Sequence, residues 1–219
     1  MKSDEFTKQA GQPADLTTAY HEAVHAVMGY LLDIPFEYVT IEEKGEFLGH
    51  VRFQPDVTDY LDLQGFKNFH RNGFRPCGFG KKRDVLIKSS VKTYVELMML
   101  ISAAGFVAQF LFEGRGIDKL LVQWLGTSDQ EEFADLGRPI TGLEPEYISY
   151  CQYMMERTWN IMTVPAHEIV VEALANRLFI ERTICYRDAR AIIKSSFDEL
   201  RGDILADYSI KIFKTREEV

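Results

Sequence analysis

The sequence predicts a single, mainly helical domain with a small β element near its front. Apolar residues recur with helical spacing over most of the 219 residues, and two short β-prone runs stand together near the N-terminus. No internal repeat and no Gly-, Ser- or Pro-rich linker divides the chain. The expected domain covers residues 15–205, with a flexible N-terminal tail at 1–14 and a C-terminal tail at 206–219.

The first predicted elements are a helix and a hairpin. Asp15 can cap a helix that continues to about residue 32, where Pro35 prevents it from going further. Residues 36–41 and 47–53 follow as two strands that can pair across a short turn. Residues 54–88 then form a long, glycine-rich loop insertion, and loops of this length in a folded domain are usually functional or mobile.

Helices dominate the rest of the chain. The run 89–112 is apolar around most of its circumference, which is typical of a central helix. Its uncharged part, 97–112, is shorter than the ~20 residues that span a bilayer, so no membrane segment is expected. Shorter helical patterns follow it, near residues 118–125, 128–136, 144–162, 166–180 and 186–201.

Composition and charge exclude several classes of protein. The chain has 25 Lys and Arg against 33 Asp and Glu, a net charge of −8, so no nucleic-acid partner is expected. Cys77, Cys151 and Cys185 are odd in number and lack C-x-x-C spacing, which indicates reduced thiols rather than a disulfide framework. The N-terminal residues lack the apolar run of a signal peptide, and a soluble, cytoplasmic protein is therefore expected.

The segment His21-Glu22-Ala23-Val24-His25 carries the strongest chemical signal. At about 100° per residue, the two histidines lie on one face of the first helix, one turn apart. Two neutral imidazoles in this arrangement suit a tetrahedral Zn²⁺ ion. Glu22 lies about 60° beyond His25 on the same wheel, where its carboxylate can act as a general base without being a ligand. The sequence therefore predicts a zinc site at His21 and His25.

Spacing alone leaves the third ligand open. The extended metzincin pattern is absent, because Met28 and Leu31 stand where that pattern requires glycine and histidine. Four acids further along the chain could each supply a carboxylate: Glu113, Asp129, Glu131 and Glu132. Asp129 also falls in a predicted capping box, 128–131, which would fix the orientation of its side chain.

Several motifs, in their order along the chain, resemble the peptidase domain of FtsH, the ATP-dependent zinc metalloprotease. The H-E-x-x-H helix is followed by Phe36-Glu37-Tyr38-Val39-Thr40-Ile41 and then by Phe47-Leu48-Gly49-His50-Val51, which are similar to the two segments that follow the motif in that family. Ala103-Ala104-Gly105-Phe106-Val107-Ala108 resembles a later helix of the family. Gly126-Thr127-Ser128-Asp129 resembles the segment that completes its zinc site. The resemblance covers residues 16–193.

This resemblance implies a helical, zincin-like peptidase domain in which His21, His25 and Asp129 bind Zn²⁺ and Glu22 is the general base. It also implies a peptide or unfolded-protein substrate and a homo-oligomer, since family members form rings. The chain departs from the family in having no P-loop, no ATPase module and no membrane segment, so a separate ATPase partner would have to unfold folded substrates. Val24 replaces a family glycine between the histidines.

The remaining histidines and the loop insertion are weaker candidates. His50, in the strand after the motif, could point into the cleft and bind an oxyanion. His70 and His167 are expected at the surface or at helix caps. The interleaved basic and aromatic residues of 54–88 could form a flap beside the site, although a solvated insertion is the simpler interpretation.

Three functions are consistent with these residues. The first is a zinc metallopeptidase that hydrolyses peptide bonds with Glu22 as base. The second is a catalytically silent metal-binding domain that binds or regulates a partner. The third is a metallohydrolase acting on a non-peptide amide or ester, because the motif determines the metal and not the substrate.

Overall fold

The part of the chain described by a computed structural model comprises residues 14–42, 49–53, 89–122, 127–141 and 143–216. Within it, most residues are helical. The α-helices are α1 (Ala14–Leu31), α2 (Ser89–Phe112), α3 (Ile117–Val122), α4 (Ser128–Gly137), α5 (Glu144–Met162), α6 (Pro165–Glu181) and α7 (Tyr186–Arg216). A 3-10 turn, Arg138–Ile140, follows α4. The strands are β1 (Phe36–Thr40), β2 (His50–Phe53) and β3 (Thr183–Cys185). The predicted mainly helical fold with a small β element is confirmed.

Helix α2 forms the centre of the fold. Every residue from Met99 to Ala108 is buried, because α2 packs against α1, α4 and α5. Phe106 meets Phe133 of α4 edge to face, with ring centroids 5.7 Å apart. The stretch Lys92–Leu111 is long and apolar enough by composition to cross a membrane, yet 67% of it is buried within the fold. That burial is compatible with the core helix of a soluble protein.

Helix α1 packs against α6 and α2 and also contacts the sheet. The structure buries all residues from 22 to 29, so the helix is covered on more than one face. The reason is that α2 covers the face that carries His25, through Ile101, while α6 also packs along the helix. Gly29, one turn after His25, lies against Phe53 rather than beside the histidines. The site on α1 therefore lies inside the fold rather than on a solvated helix face.

The sheet has the order β2-β1-β3, and β1 is antiparallel to both neighbours. Val39 is opposite Val51 of β2 and opposite Ile184 of β3. The predicted pairing of the two early strands is confirmed. Strand β3 was not predicted, because three residues between two long helices show no alternating pattern. It connects the C-terminal helices to the strands that follow α1.

Element ends differ from the predictions mainly at the C-terminus. Helix α7 continues to Arg216, whereas the sequence pattern predicts an end near residue 201. Gly202 lies inside this helix, and a single glycine with no nearby proline lowers helix preference without ending the helix. Most of the expected tail, 206–219, is therefore helical. The expected N-terminal tail, up to residue 13, and the loop insertion 54–88 lie outside the described residues.

Candidate metal centre

Helix α1 brings the two motif histidines together. The Nε2 atoms of His21 and His25 lie 3.2 Å apart, and the two rings meet edge to face with centroids 4.9 Å apart. This follows from their spacing of four residues, which places both side chains on the same face one turn apart. The Nε2 atoms of both histidines therefore point toward the same position.

A backbone carbonyl of α2 fixes the orientation of His25. The Nδ1–H of His25 donates to the carbonyl oxygen of Ile101 at 2.9 Å, and the histidine is 7% exposed. Because a carbonyl only accepts, this bond places the proton on Nδ1 in the neutral ring and leaves the lone pair on Nε2. A hydrogen bond of this kind is the usual outer support of a metal-binding histidine.

Asp129 completes the cluster from the first turn of α4. Its Oδ2 lies 3.0 Å from His21 Nε2 and 3.4 Å from His25 Nε2. The sequence predicts a cap at Ser128, but the structure places the N-cap at Thr127, whose side-chain oxygen accepts from the backbone N–H of Gln130 at 3.3 Å. Asp129 is then the second helical residue, where the helix dipole favours a carboxylate.

The three candidate ligand atoms have the spacing that a metal ion requires. They form a triangle with sides of 3.0, 3.2 and 3.4 Å. Tetrahedral coordination with Zn–N and Zn–O bonds of about 2.0–2.1 Å separates neighbouring ligand atoms by roughly 3.3 Å. One carboxylate oxygen and two imidazole nitrogens are also ordinary ligands of such an ion. His21, His25 and Asp129 could therefore hold a metal ion.

Glu22 lies beside this cluster without joining it. Its side chain is buried, with 6% exposed. A Cβ added to Gly49 would lie 2.8 Å from the carbonyl oxygen of Thr40 and 3.0 Å from Glu22 Oε1, so Gly49 leaves the room that the carboxylate occupies. Burial raises the pKa of Glu22 above its ordinary value, and the nearby His25 and His21 oppose that shift only in part. A carboxylate with a raised pKa is a better proton acceptor near neutral pH.

The charges of the cluster depend on one another. Burial acts to lower the pKa of His25, but the hydrogen bond and negative charge of Asp129 outweigh it and raise the pKa to about 9. Burial likewise acts to raise the pKa of Asp129, whereas its bonds to His21 and His25 lower it well below the ordinary value. In the absence of a metal, Asp129 and His25 therefore form an ion pair at neutral pH.

This ion pair predicts the pH dependence of stability in chelator. The folded-state pKa of His25, about 9, exceeds its ordinary value of 6.5, so the stabilisation is complete below pH ~6.5 and is lost as the pH rises through ~9. The expected loss of unfolding free energy is up to about 3 kcal/mol. Urea unfolding at a series of pH values in chelator measures it.

The matched control for this measurement is Asp129→Asn, which removes the charge that raises the pKa of His25. Stability of this variant should change much less between pH 6.5 and 9. An equal decline in the unfolding free energy of the variant would contradict the assignment of this stabilisation to the pair of Asp129 and His25. Zinc affinity of the unmodified protein should rise over the same interval, because a metal must displace the His25 proton.

The cluster opens onto a cleft of about 600 Å³. The exposed fractions of the His21, Asp129 and His25 side chains are 33%, 18% and 9%, so the cluster is reached from the side of His21. Strand β2 forms part of the wall, and His50 lines the cleft with its Nε2 3.1 Å from the hydroxyl of Tyr38. His50 thus lies in the cleft, where the sequence placed it as a candidate.

Other sequence candidates lie away from the three-residue cluster. Glu113 is exposed at the end of α2 and pairs with Arg115. Glu131 and Glu132 are exposed on α4, and Glu132 reaches the cleft without joining the cluster. His167 bonds the carbonyl of Ile161 near the end of α5, at 2.7 Å, in keeping with a capping role. His70 lies outside the described residues.

Sequence reasoning did not identify two positions of α2 that lie against the cluster, Ile101 and Gly105. Ile101 acts through its carbonyl group, which every residue has, so no sequence signal could have revealed it. Gly105 is part of a run of small residues in a helix whose other apolar residues are mostly large, which is a weak signal that another segment approaches the helix closely there.

No protein-family model matches the chain, and a search of curated proteins finds no match.

Proposed function

We propose that this protein is a zinc-dependent metallopeptidase that hydrolyses peptide bonds of unfolded proteins or peptides, with an FtsH-like peptidase domain. The observation that carries the proposal is the convergence of His21, His25 and Asp129 beside the buried carboxylate of Glu22. Three ligand atoms and an adjacent base at the edge of a cleft are the parts of a hydrolytic metal site. The resemblance in motif order supports a peptide as the substrate.

The proposed role of each residue follows from its position. His21, His25 and Asp129 would hold Zn²⁺, which when bound supplies Lewis acidity toward a carbonyl and makes a water molecule more acidic. Glu22, beside the cluster but not part of it, accepts a proton from the attacking water and delivers it to the departing amine. When His25 is neutral, its bond to Ile101 keeps the proton on Nδ1 and leaves Nε2 unprotonated.

Strand β2 supports a binding mode for an extended chain. It stands at one edge of the described sheet, next to β1, and Gly49, His50 and Val51 line the same cleft as His21 and Glu22. An extended peptide can add to such an edge through backbone hydrogen bonds, which tolerate many side chains. Only unfolded segments can present a strand in this way, so folded substrates would require a separate unfolding ATPase partner. A homo-oligomer, like the rings of the FtsH family, is part of the same proposal.

Metal removal tests the proposal directly. Protein loaded with one zinc per chain should cleave casein, chelator-treated protein should not, and added zinc should restore cleavage. Mass spectrometry of the products should show new amino and carboxyl termini at each cut. Protein that keeps one zinc per chain but leaves casein and a panel of unfolded peptides intact would overturn the peptidase proposal, and stable retention of a partner would then favour a silent regulatory domain.

A further inference from the structure

Helix α2 approaches the candidate ligands more closely than any side chain would allow. A Cβ added to Gly105 would lie 2.5 Å from His25 Nε2 and 2.7 Å from His21 Cε1, and closer still to Asp129 Oδ2. Apart from atoms of its own residue and its neighbours in the chain, a Cβ atom essentially never comes within 3.0 Å of another heavy atom. The three ligand side chains thus surround the position that a methyl group at residue 105 would take.

The backbone conformation does not explain this glycine. Among the described residues, positive φ angles occur at Asp33, Arg182 and Gly114, and Gly105 is not one of them. Gly105 lies inside a long α-helix, where alanine is the more favourable residue. Helix stability therefore favours a residue with a side chain at this position. Glycine is explained instead by the space that the candidate ligands occupy beside it.

The atoms that a side chain would meet are the tips of side chains, not backbone. The packing of α1 on α2 therefore need not open when a methyl group is added, because the ligands can move instead. His25 has little freedom to move, since Ile101, one turn before Gly105 on α2, holds its Nδ1. The ring of His25 would have to strain that hydrogen bond, Asp129 and His21 would have to turn away, and the triangle of ligand atoms would be lost.

We propose that Gly105 is a positioning residue of the metal site: its missing side chain leaves the space in which three ligand atoms converge on one ion. The proposal rests on the metal site of the proposed function and extends it to a backbone position on a third helix. The backbone of α2 at Ile101 and Gly105 thus forms one wall of the site. Ile101 orients one ligand, and Gly105 leaves space for all three.

The test is Gly105→Ala, with zinc as the probe and a competing chromophoric chelator to measure affinity. The variant is expected to fold, as judged by circular dichroism and thermal unfolding in chelator, and to bind zinc at least about 10- to 100-fold more weakly. The matched control is Gly137→Ala at the end of α4, where an added Cβ would meet the flexible end of Met99 at 3.0 Å, away from the cluster. This control should bind zinc as tightly as the unmodified protein.

A second comparison covers the case in which Gly105→Ala is destabilised. The same change is then made in a background in which His21, His25 and Asp129 are all replaced by alanine, and unfolding is measured in chelator. If the methyl group acts by crowding the ligands, Gly105→Ala should destabilise the protein with the three side chains present and much less with all three removed. Equal destabilisation in both backgrounds would show a purely structural glycine and overturn the proposal.

The outcomes separate this inference from the function on which it rests. Unmodified protein that holds zinc but cleaves nothing overturns the peptidase proposal and leaves the role of Gly105 intact. Folded Gly105→Ala that holds zinc as tightly as the unmodified protein overturns the role of Gly105 and leaves the peptidase proposal intact.

Discussion

Glu22→Gln is expected to lower kcat/KM for casein or peptide cleavage by about 10²- to 10⁴-fold, the range attributed to a positioned general base. The amide has nearly the shape of the carboxylate and fits the same buried space beside Gly49. It cannot accept a proton from water or pass one to a leaving amine. Initial rates at several substrate concentrations, with zinc content measured on the same samples, test this.

Zinc content should remain one per chain in Glu22→Gln, because Glu22 is not among the three clustered candidate ligands. That result separates loss of the base from loss of the metal. Glu132→Gln is the matched control, since Glu132 is an exposed glutamate that lines the same cleft. It should cleave at nearly the unmodified rate. Equal rates for Glu22→Gln and the unmodified protein would refute the mechanism.

The motif on α1 could be predicted from the sequence because its geometry is local. His21 and His25 are four residues apart on one helix, and helix periodicity alone places their nitrogens side by side. The early hairpin was predictable for the same reason, since its strands are neighbours in the sequence. In both cases the relevant contacts join residues close together in the chain.

Contacts between distant segments were harder to predict. Spacing alone does not distinguish among four acids as the third ligand, and only the family resemblance favours Asp129. The packing of α4 on α2 brings Asp129 to the histidines. Strand β3 gave no signal because it has only three residues and pairs with a strand far earlier in the chain. The contribution of Ile101 is invisible in the sequence, since its carbonyl group is common to all residues.

Burial of the histidine face of α1 also depends on distant segments. The wheel describes one helix and cannot show that α2 covers a second face. The consequence is chemical, because burial raises the pKa of Glu22 and holds His25 against Ile101. The environment that would make the motif reactive is therefore a tertiary property, whereas the motif itself is local.

Asp129→Ala is expected to have the largest effect on metal binding. It removes one of three candidate ligand atoms and the negative charge that would offset an ion in a largely buried site. Loss of even an outer partner of a metal ligand weakens binding by about 10- to 100-fold, so loss of a direct ligand should exceed that range. Chelator competition measures the dissociation constant, and elemental analysis after dialysis should find little zinc.

Variants of the other acids make this result specific. Asp135→Ala removes an exposed carboxylate from the same helix and should leave zinc affinity unchanged. Glu113→Ala, Glu131→Ala and Glu132→Ala test the alternatives that spacing left open, and all three should retain the metal because these side chains lie outside the cluster. If one of them lost zinc while Asp129→Ala kept it, the third ligand would be that glutamate. The packing of α4 on α2 would then have to differ when the ion is bound. Retention of zinc by all of these variants would mean that the two histidines bind without any of these carboxylates.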